Sequence, residues 1–415
     1  MKLPFLLLLL LGVAQAAPLT LEEACRRSLL AQPRLSIAQA RVEKSQAFQL
    51  EAESPWNPRL ALDASYTYTT PNAVIQQMGQ SIVFTQNHNY LASLRLTQLL
   101  WNGGLYANRL EARRWQVAIA QERDRETRLQ LQEEAALAFL QAKSAEESLS
   151  LNRRQLTQRQ AQLAQSNQLY QRGTVARYDV MRTQAELAKV QQELIESERT
   201  LQLRRNTLSS LLSLEVEELA ELPPPRPPGL TAPENLEERP DVKVARLALQ
   251  EADARLAAAE SQNSPSLSFQ TDYQQRNSTA AYPAGQWNTG LVLSWPLYDQ
   301  GVSQAQSRQV EAELRELQAQ AQEVQRLAWL EVRQLRTDLV TRYAAWQAAQ
   351  AQVTAAEEAA RVALIRYQNG LSTQVERLEA EVNAYRAGKE QVDLRYELAA
   401  AEARYKRALG QEQLP

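Results

Sequence analysis

LYQRGTVARYDV (Leu169–Val180) and IRYQNGLSTQVER (Ile365–Arg377) are two versions of one turn. Placing Gly173 over Gly370 brings Tyr170 onto Tyr367, Gln171 onto Gln368 and Asp179 onto Glu376. The same shift of about 197 residues sets Leu149, Leu156 and Leu163 on Trp346, Val353 and Ala360. It also sets Trp101, Asn102 and Gly104 on Tyr298, Asp299 and Gly301. A glycine closing a long apolar periodicity is a helix stop. Each half of the chain therefore reads as one long helical hairpin, bent at Gly173 or at Gly370.

Outward from the first turn, the helical pattern runs back to about Leu105 and forward from about Tyr178 to Leu212. At 1.5 Å per residue the first of these helices is roughly 100 Å long, far more than a globular core needs. Val180, Leu187, Leu194, Leu201 and Leu208 recur every seven residues, the spacing of a left-handed coiled-coil seam. QLLWNGG (Gln98–Gly104) and WPLYDQG (Trp295–Gly301) lead into the two long helices. Before them lie alternating runs that predict strands. Leu60, Leu62, Ala64, Tyr66 and Tyr68 alternate with Ala61, Asp63, Ser65 and Thr67. Tyr90, Ala92, Leu94 and Leu96 alternate with Leu91, Ser93, Arg95 and Thr97, after a polar loop holding Pro71 and Gly79. The second half repeats this with Leu267–Tyr273 and Trp287–Trp295. Further upstream a helix is expected from Leu19 to about Glu53, capped by Thr20 with Glu23 in a capping box and ended by Pro55 and Pro58.

In that upstream region the repeat shift is about 207, with Pro240 on Pro33, Glu260 on Glu53 and Phe269 on Leu62. The change of shift falls inside the strand hairpin, so the first hairpin loop is longer by about ten residues, as an exposed tip tolerates. These tips are expected outside the cell. The organisation is then a leader at 1–16, a first repeat at 17–222, a Pro-rich linker at 223–233 and a second repeat at 234–415. The first repeat holds a strand pair at about 58–98 and a tip at 170–179. The second holds a strand pair at about 265–297 and a tip at 367–376.

Composition narrows the function classes. Residues 1–16 have Lys2, an apolar run Leu3–Val13 and Ala14-Gln15-Ala16, the pattern of a cleaved secretory signal. The run is too short to span a bilayer of ~30 Å. The 46 Lys and Arg nearly balance the 48 Asp and Glu, so no nucleic-acid footprint is present. Cys25 is the single cysteine and His88 the single histidine, so neither an intrachain disulfide nor a Cys/His metal set is expected. No catalytic constellation or phosphate-binding glycine loop is legible, and neither an enzyme nor a cofactor is expected.

Two strands per half give four per chain, too few to close a barrel, and their edges are left for other copies. On the second pair Trp287, Leu291, Leu293 and Trp295 share a face opposite Asn288, Gly290 and Ser294. The two tryptophans lie ~20 Å apart along the membrane normal on a tilted strand, near the ~25 Å apolar band of an outer-membrane barrel. Alternation alone fits equally a soluble two-layer sheet packed on helices. The leader and the long helices favour the barrel.

With these features the chain resembles the outer membrane efflux protein family, the TolC-like channel-tunnels. The resemblance covers the whole mature chain and rests on QLLWNGG, WPLYDQG, YQRGTVARYDV, YQNGLSTQVERLEA and the repeat itself. It implies a mainly α fold with a β-barrel part: a homotrimer with a twelve-stranded barrel in outer-membrane lipid and an α-helical periplasmic tunnel. It implies a passive exit duct of a tripartite efflux pump or type I secretion system, working with a periplasmic adaptor and an inner-membrane transporter. At the tips Asp179 resembles the family's gate carboxylate and Tyr367 its hydrogen-bonding partner. Glu376 and Glu379 resemble acidic rings at the entrance, and Gly173 and Gly370 mark the tips that dock to an adaptor or transporter. The chain departs from some members at Ser372, where they carry a basic gate residue. The competing reading is a periplasmic structural coiled-coil protein without a pore.

Overall fold

The computed structural model describes residues 18–71, 74–77, 80–83, 87–229, 236–277 and 284–412. The leader expected at 1–16 lies outside these residues. In chain order the elements are α1 (Leu21–Ala31), α2 (Pro33–Glu53), β1 (Arg59–Tyr68), β2 (Val74–Gln77), β3 (Gln80–Val83) and β4 (His88–Trp101). There follow α3 (Leu105–Gln171), α4 (Arg177–Leu212), α5 (Pro240–Glu260), β5 (Ser266–Arg276), β6 (Gly285–Ser294), α6 (Val302–Gln368) and α7 (Gln374–Ala408).

Two expectations are corrected. The single helix Leu19–Glu53 is two helices. Thr20 does cap the first, its Oγ1 accepting from the Glu23 N–H at 3.2 Å. Gln32 leaves the helix at φ −88°, ψ 121°, because a residue before proline is pushed out of the helical region. The loop holding Pro71 and Gly79 contains a short hairpin, with Val74 opposite Val83 and Ile75 opposite Ile82. β-branched residues favour the extended backbone there even between turn formers.

The chain divides into two compact units, and each draws on both sequence repeats. One comprises residues up to Ser36, Arg125–Arg239 and Leu327 onward. It holds α1, α4, α7 and the greater part of α3 and α6. Its apolar core packs Phe139 and Leu140 of α3 with Leu208 and Leu212 of α4, Leu19 and Ala24 at the start of α1, and Tyr396 of α7. Burying each large side chain contributes about 1.5–3 kcal/mol. The chain after α4 is pinned here. Leu19 and Leu219 form a parallel bridge, and Arg395 donates to the Leu222 carbonyl at 2.7 Å. The Pro-rich segment therefore leaves the fold from a fixed point. Cys25 packs against Ala136 and Ala403, and burial pushes its thiol up to about 11. It is a core residue and not a reactive one.

The other unit comprises Ile37–Asp124 and Pro240–Arg326. It holds a four-stranded antiparallel sheet of order β1-β4-β5-β6. The two strand pairs of the sequence repeats are thus joined through β4 and β5, and β1 and β6 are the edges. The register puts Leu60, Leu62 and Tyr66 of β1 opposite Leu96, Leu94 and Tyr90 of β4. Leu94 in turn faces Tyr273 of β5, and Leu267, Phe269 and Tyr273 face Leu293, Leu291 and Trp287 of β6. One face is therefore apolar across all four strands. Thr271 and Thr289, the hydroxyl pair within it, satisfy each other at 2.8 Å. The other face carries Asp63, Arg95, Asp272, Gln274 and Asn288, with Arg95 opposite Asp272 in register.

The strand-to-helix junctions are tight. Gly103 lies at φ +64°, and a Cβ there would meet the Ser264 Cβ at 2.1 Å, so only glycine fits. At the second junction the Asp299 carboxylate accepts from the backbone N–H of Gly301 at 3.0 Å and of Ser303 at 2.7 Å. The Ser303 side chain foremost, then these backbone bonds and the Asn263 side chain, hold its carboxyl well below the usual aspartate range.

Candidate functional site

The two turns are built alike. The N–H of Gly173 donates to the Tyr170 carbonyl at 2.9 Å, and that of Thr174 to Leu169 at 3.0 Å. In the second turn Gly370 donates to Tyr367 at 3.0 Å and Leu371 to Arg366 at 2.8 Å. This pair of bonds is the Schellman motif, which satisfies the last carbonyls of a helix and requires a left-handed residue after it. Gly173 at φ +74° and Gly370 at φ +70° supply that residue.

The outgoing helices start differently. At α7 the Thr373 hydroxyl caps, accepting from the Glu376 N–H at 3.2 Å. At α4 the equivalent position is Ala176, which has no capping oxygen. Here Asp179 substitutes by reaching back, its Oδ2 accepting from the Ala176 N–H at 3.3 Å. Asp179 is half-buried, and within one protomer this capping contact is what its carboxylate does. Tyr367 is also half-buried, and the Arg377 guanidinium lies over its ring at 4.7 Å from the centroid. Asp179 and Tyr367 are not hydrogen-bonded to each other within one chain. Glu376 and Glu379 are both exposed and share one side of α7, while Arg377, Leu378 and Glu381 are turned inward. Ser372 Oγ is buried with no hydrogen-bond partner.

A polar cluster that the sequence reading did not single out lies behind the turns. Glu381 Oε2 accepts from Arg159 Nη1 at 2.7 Å and from Gln162 Nε2 at 2.6 Å. Only 2% of the Arg159 side chain and 7% of that of Glu381 are exposed. Arg377 approaches the other oxygen of Glu381 at 3.6 Å. Closer to the turns, Gln374 of α7 donates to Thr183 of α4 at 2.8 Å, and the Thr183 hydroxyl donates to the Asp179 carbonyl at 2.9 Å. The two hairpins are thus tied by hydrogen bonds near their turns. A sequence signal existed, since Arg159, Gln162 and Ser166 follow helical spacing. Charged and amide residues at such positions read as solvated surface until a facing helix is placed against them.

A sheet apolar on one whole face, joined to long helical hairpins closed by glycine turns, is the construction of an outer-membrane channel with a helical extension. The sequence profile of the outer membrane efflux protein family matches residues 25–213 and 232–411. The chain belongs to that family. OpmQ of Pseudomonas putida, a pyoverdine export outer membrane protein, is 28% identical over 394 residues, spanning 91% of this chain and 82% of OpmQ. PrtF of Dickeya chrysanthemi, a proteases secretion protein, is 26% identical over 326 residues, spanning 74% of this chain and 70% of PrtF. Among solved structures, the Campylobacter jejuni CmeC outer membrane channel matches with a TM-score of 0.81 and 17% identity, over 95% of this chain and 87% of CmeC. At that identity the structural match speaks for the fold. The protein is an outer-membrane channel component with a periplasmic helical part, not an enzyme, and belongs to systems that export through partner proteins.

Proposed function

We propose that three copies of this chain close their four-stranded sheets into one twelve-stranded barrel and their hairpins into a duct gated at the turns of Gly173 and Gly370. The observation that carries this reading is the sheet. Its largely apolar face extends over all four strands, and among the described residues neither edge has a strand partner. An apolar face suits lipid, and free edges suit other copies. A coiled-coil protein without a pore has no use for such a face.

The duct serves an inner-membrane transporter, reached through a periplasmic adaptor. Tyr178, Met181 and Leu371 are exposed apolar side chains beside the turns and offer the adaptor a surface. The gate reading rests on position. Glu376 and Glu379 are exposed on one side of the first turns of α7, so threefold symmetry can gather carboxylates at two levels of a narrow mouth. Among the described residues the Tyr367 hydroxyl has no hydrogen-bond partner, and it is available to Asp179 of a neighbouring copy.

Single-channel recording in a planar bilayer tests the gate. Glu376→Gln with Glu379→Gln should lower cation selectivity and weaken block by trivalent cations. Tyr367→Phe keeps the ring under Arg377 and should raise conductance by removing the hydroxyl alone. Variants that select and conduct like the parent would put the gate elsewhere on the chain.

A further inference from the structure

We infer that the cleft among α2, α3, α5 and α6 is a binding site for an organic anion with a flat aromatic body, such as an aryl carboxylate. Its placement inside the duct rests on the proposed closure of three copies, whereas the site itself is complete within one chain.

The cleft lies wholly within the unit that carries the sheet and has a volume of about 530 Å³, a size that suits a small molecule. The four helices stand in a row. Arg113 of α3 lies over the Phe48 ring of α2, Gln116 of α3 donates to Glu251 of α5 at 2.8 Å, and Arg255 of α5 pairs with Glu313 of α6 at 2.7 Å. Both outermost helices nevertheless line the cleft, α2 through Phe48 and Ala52 and α6 through Gln306 and Val310. The row is therefore bent around it, and closure of three copies turns this concave side toward the duct. The internal repeat bears on the cleft as well. At its two shifts Ala52 falls on Ala259, Arg109 on Gln306 and Arg113 on Val310, and all of these line it. The two walls are thus equivalent in backbone and different in chemistry. Gln306 and Val310 suit the same helix positions, so the fold does not demand arginine at 109 and 113.

Arg109 and Arg113 rest on neutral oxygens. They donate to Gln262 Oε1 at 3.1 Å and to Gln116 Oε1 at 2.7 Å. Among the described residues neither has a carboxylate within ion-pair distance. The third arginine of the cleft, Arg255, is committed to Glu251 at 2.9 Å and to Glu313. Glu251 is buried and also accepts from Gln116, which leaves the exposed Glu51 as the remaining carboxylate of the lining. A guanidinium presents a fork of donors that fits a carboxylate with two parallel bonds. Aromatic rings stand beside both forks. The Phe48 centroid is 5.3 Å from Arg113 and the Tyr106 centroid 5.6 Å from Arg109. An aryl ring can therefore lie against rings and guanidinium planes while its carboxylate takes the donors. Ala52, Ala112, Ala258 and Ala259 add only methyl groups to the lining and leave room for a flat body. An inorganic anion would leave the rings and alanines unused, and a cation would meet two guanidiniums without counter-ions.

Calorimetric titration of the full chain with naphthoate, in nanodiscs of zwitterionic lipid, tests this. Naphthoate should bind several-fold more tightly than octanoate, which carries the charge without the ring. Naphthylmethylammonium, the same ring with the opposite charge, should not bind detectably. Arg109→Gln with Arg113→Gln should weaken naphthoate by roughly 30-fold, the loss expected when two charge-assisted contacts go. Arg109→Lys with Arg113→Lys should recover only part of it, because the charge returns without the fork. Ala259→Leu should weaken binding by filling the cleft and leave its charge as it was. No binding of naphthoate, equal binding of the cation or of octanoate, or an affinity unchanged in the Gln double variant overturns the inference. Naphthoate should also reduce the current of single channels in a planar bilayer, and the Gln double variant should escape that block. Binding is read without current. Binding that fails to block therefore supports the site and sinks only the placement of the concave side in the duct, which is the proposed closure.

Discussion

Asp179 illustrates how one carboxylate comes to serve a helix and, by proposal, an entrance. Its helix has alanine at the capping position, so the reach-back contact to Ala176 replaces a missing side-chain cap. Losing a cap of this kind costs about 0.5–2 kcal/mol. Asp179→Ala should lower the thermal stability accordingly. Asp179→Asn keeps an oxygen that can accept from the Ala176 N–H, and should cost under ~0.5 kcal/mol in the same measurement. Bilayer recordings of the Asn variant then report on the charge alone, and conductance equal to the parent's would confine Asp179 to its capping role. At the second turn Ser372 supplies no charge, and the nearby Arg377 is committed to Tyr367 and Glu381. A cationic latch to a neighbouring copy is not available at either residue without remaking these contacts.

At the scale of elements, the sheet and the hairpins solve opposite problems. The sheet turns leucine and aromatic side chains outward on one face, with Tyr66, Tyr90, Tyr273 and Trp287 toward the strand hairpins and Trp101 and Trp295 toward the helices. This is the aromatic-girdle pattern of a strand that crosses lipid. Leu62 lies between the two girdles and Ser65 on the opposite, polar face. Leu62→Arg should cost ~2–4 kcal/mol in refolding into lipid vesicles, whereas Ser65→Arg should cost little and shift ion selectivity instead. Equal costs on both faces would contradict the lipid-facing assignment. The hairpins bury apolar side chains where they meet α1 and the chain after α4, and turn polar toward Gly173 and Gly370. The expected stripe on α4 shows the same change. Leu201 and Leu208 are buried, but Val180, Leu187 and Leu194 are only half-buried, and Thr183 and Val190 carry the burial near the turn. Passing from Val190 to Leu201 spans eleven residues, the kind of break that locally unwinds a heptad.

At the scale of the molecule, the free edges of β1 and β6 decide the assembly. An open sheet with an apolar face and two unpaired edges is an aggregation hazard as a monomer. Native mass spectrometry in mild detergent should therefore find a trimer that withstands heating short of denaturation. A stable monomer retaining its full strand content would exclude the closed barrel. The single-copy exposures of Leu62, Trp287 and Leu291, all above 60%, are those of surfaces awaiting lipid.

The sequence by itself determined the local and periodic features. Gly173 and Gly370 read as helix stops, because glycine carries no Cβ penalty in the left-handed turn that commonly ends a helix. The alternation from Leu60 to Tyr68 had to be a strand with one apolar face, because side chains alternate every residue. The internal repeat made each such inference twice, and the leader and the long helices favoured a lipid-facing sheet over a soluble one. Only the tertiary structure decided which strands adjoin, since the β4–β5 pairing joins segments from different repeats with no local signal. Only it exposed the break at Gln32, where the effect of Pro33 outweighed a continuous helical pattern. The buried cluster of Arg159, Gln162, Arg377 and Glu381 was hidden for the same reason. Whether an arginine on a helix meets water or a carboxylate depends on the helix facing it, and that is a property of packing rather than of spacing.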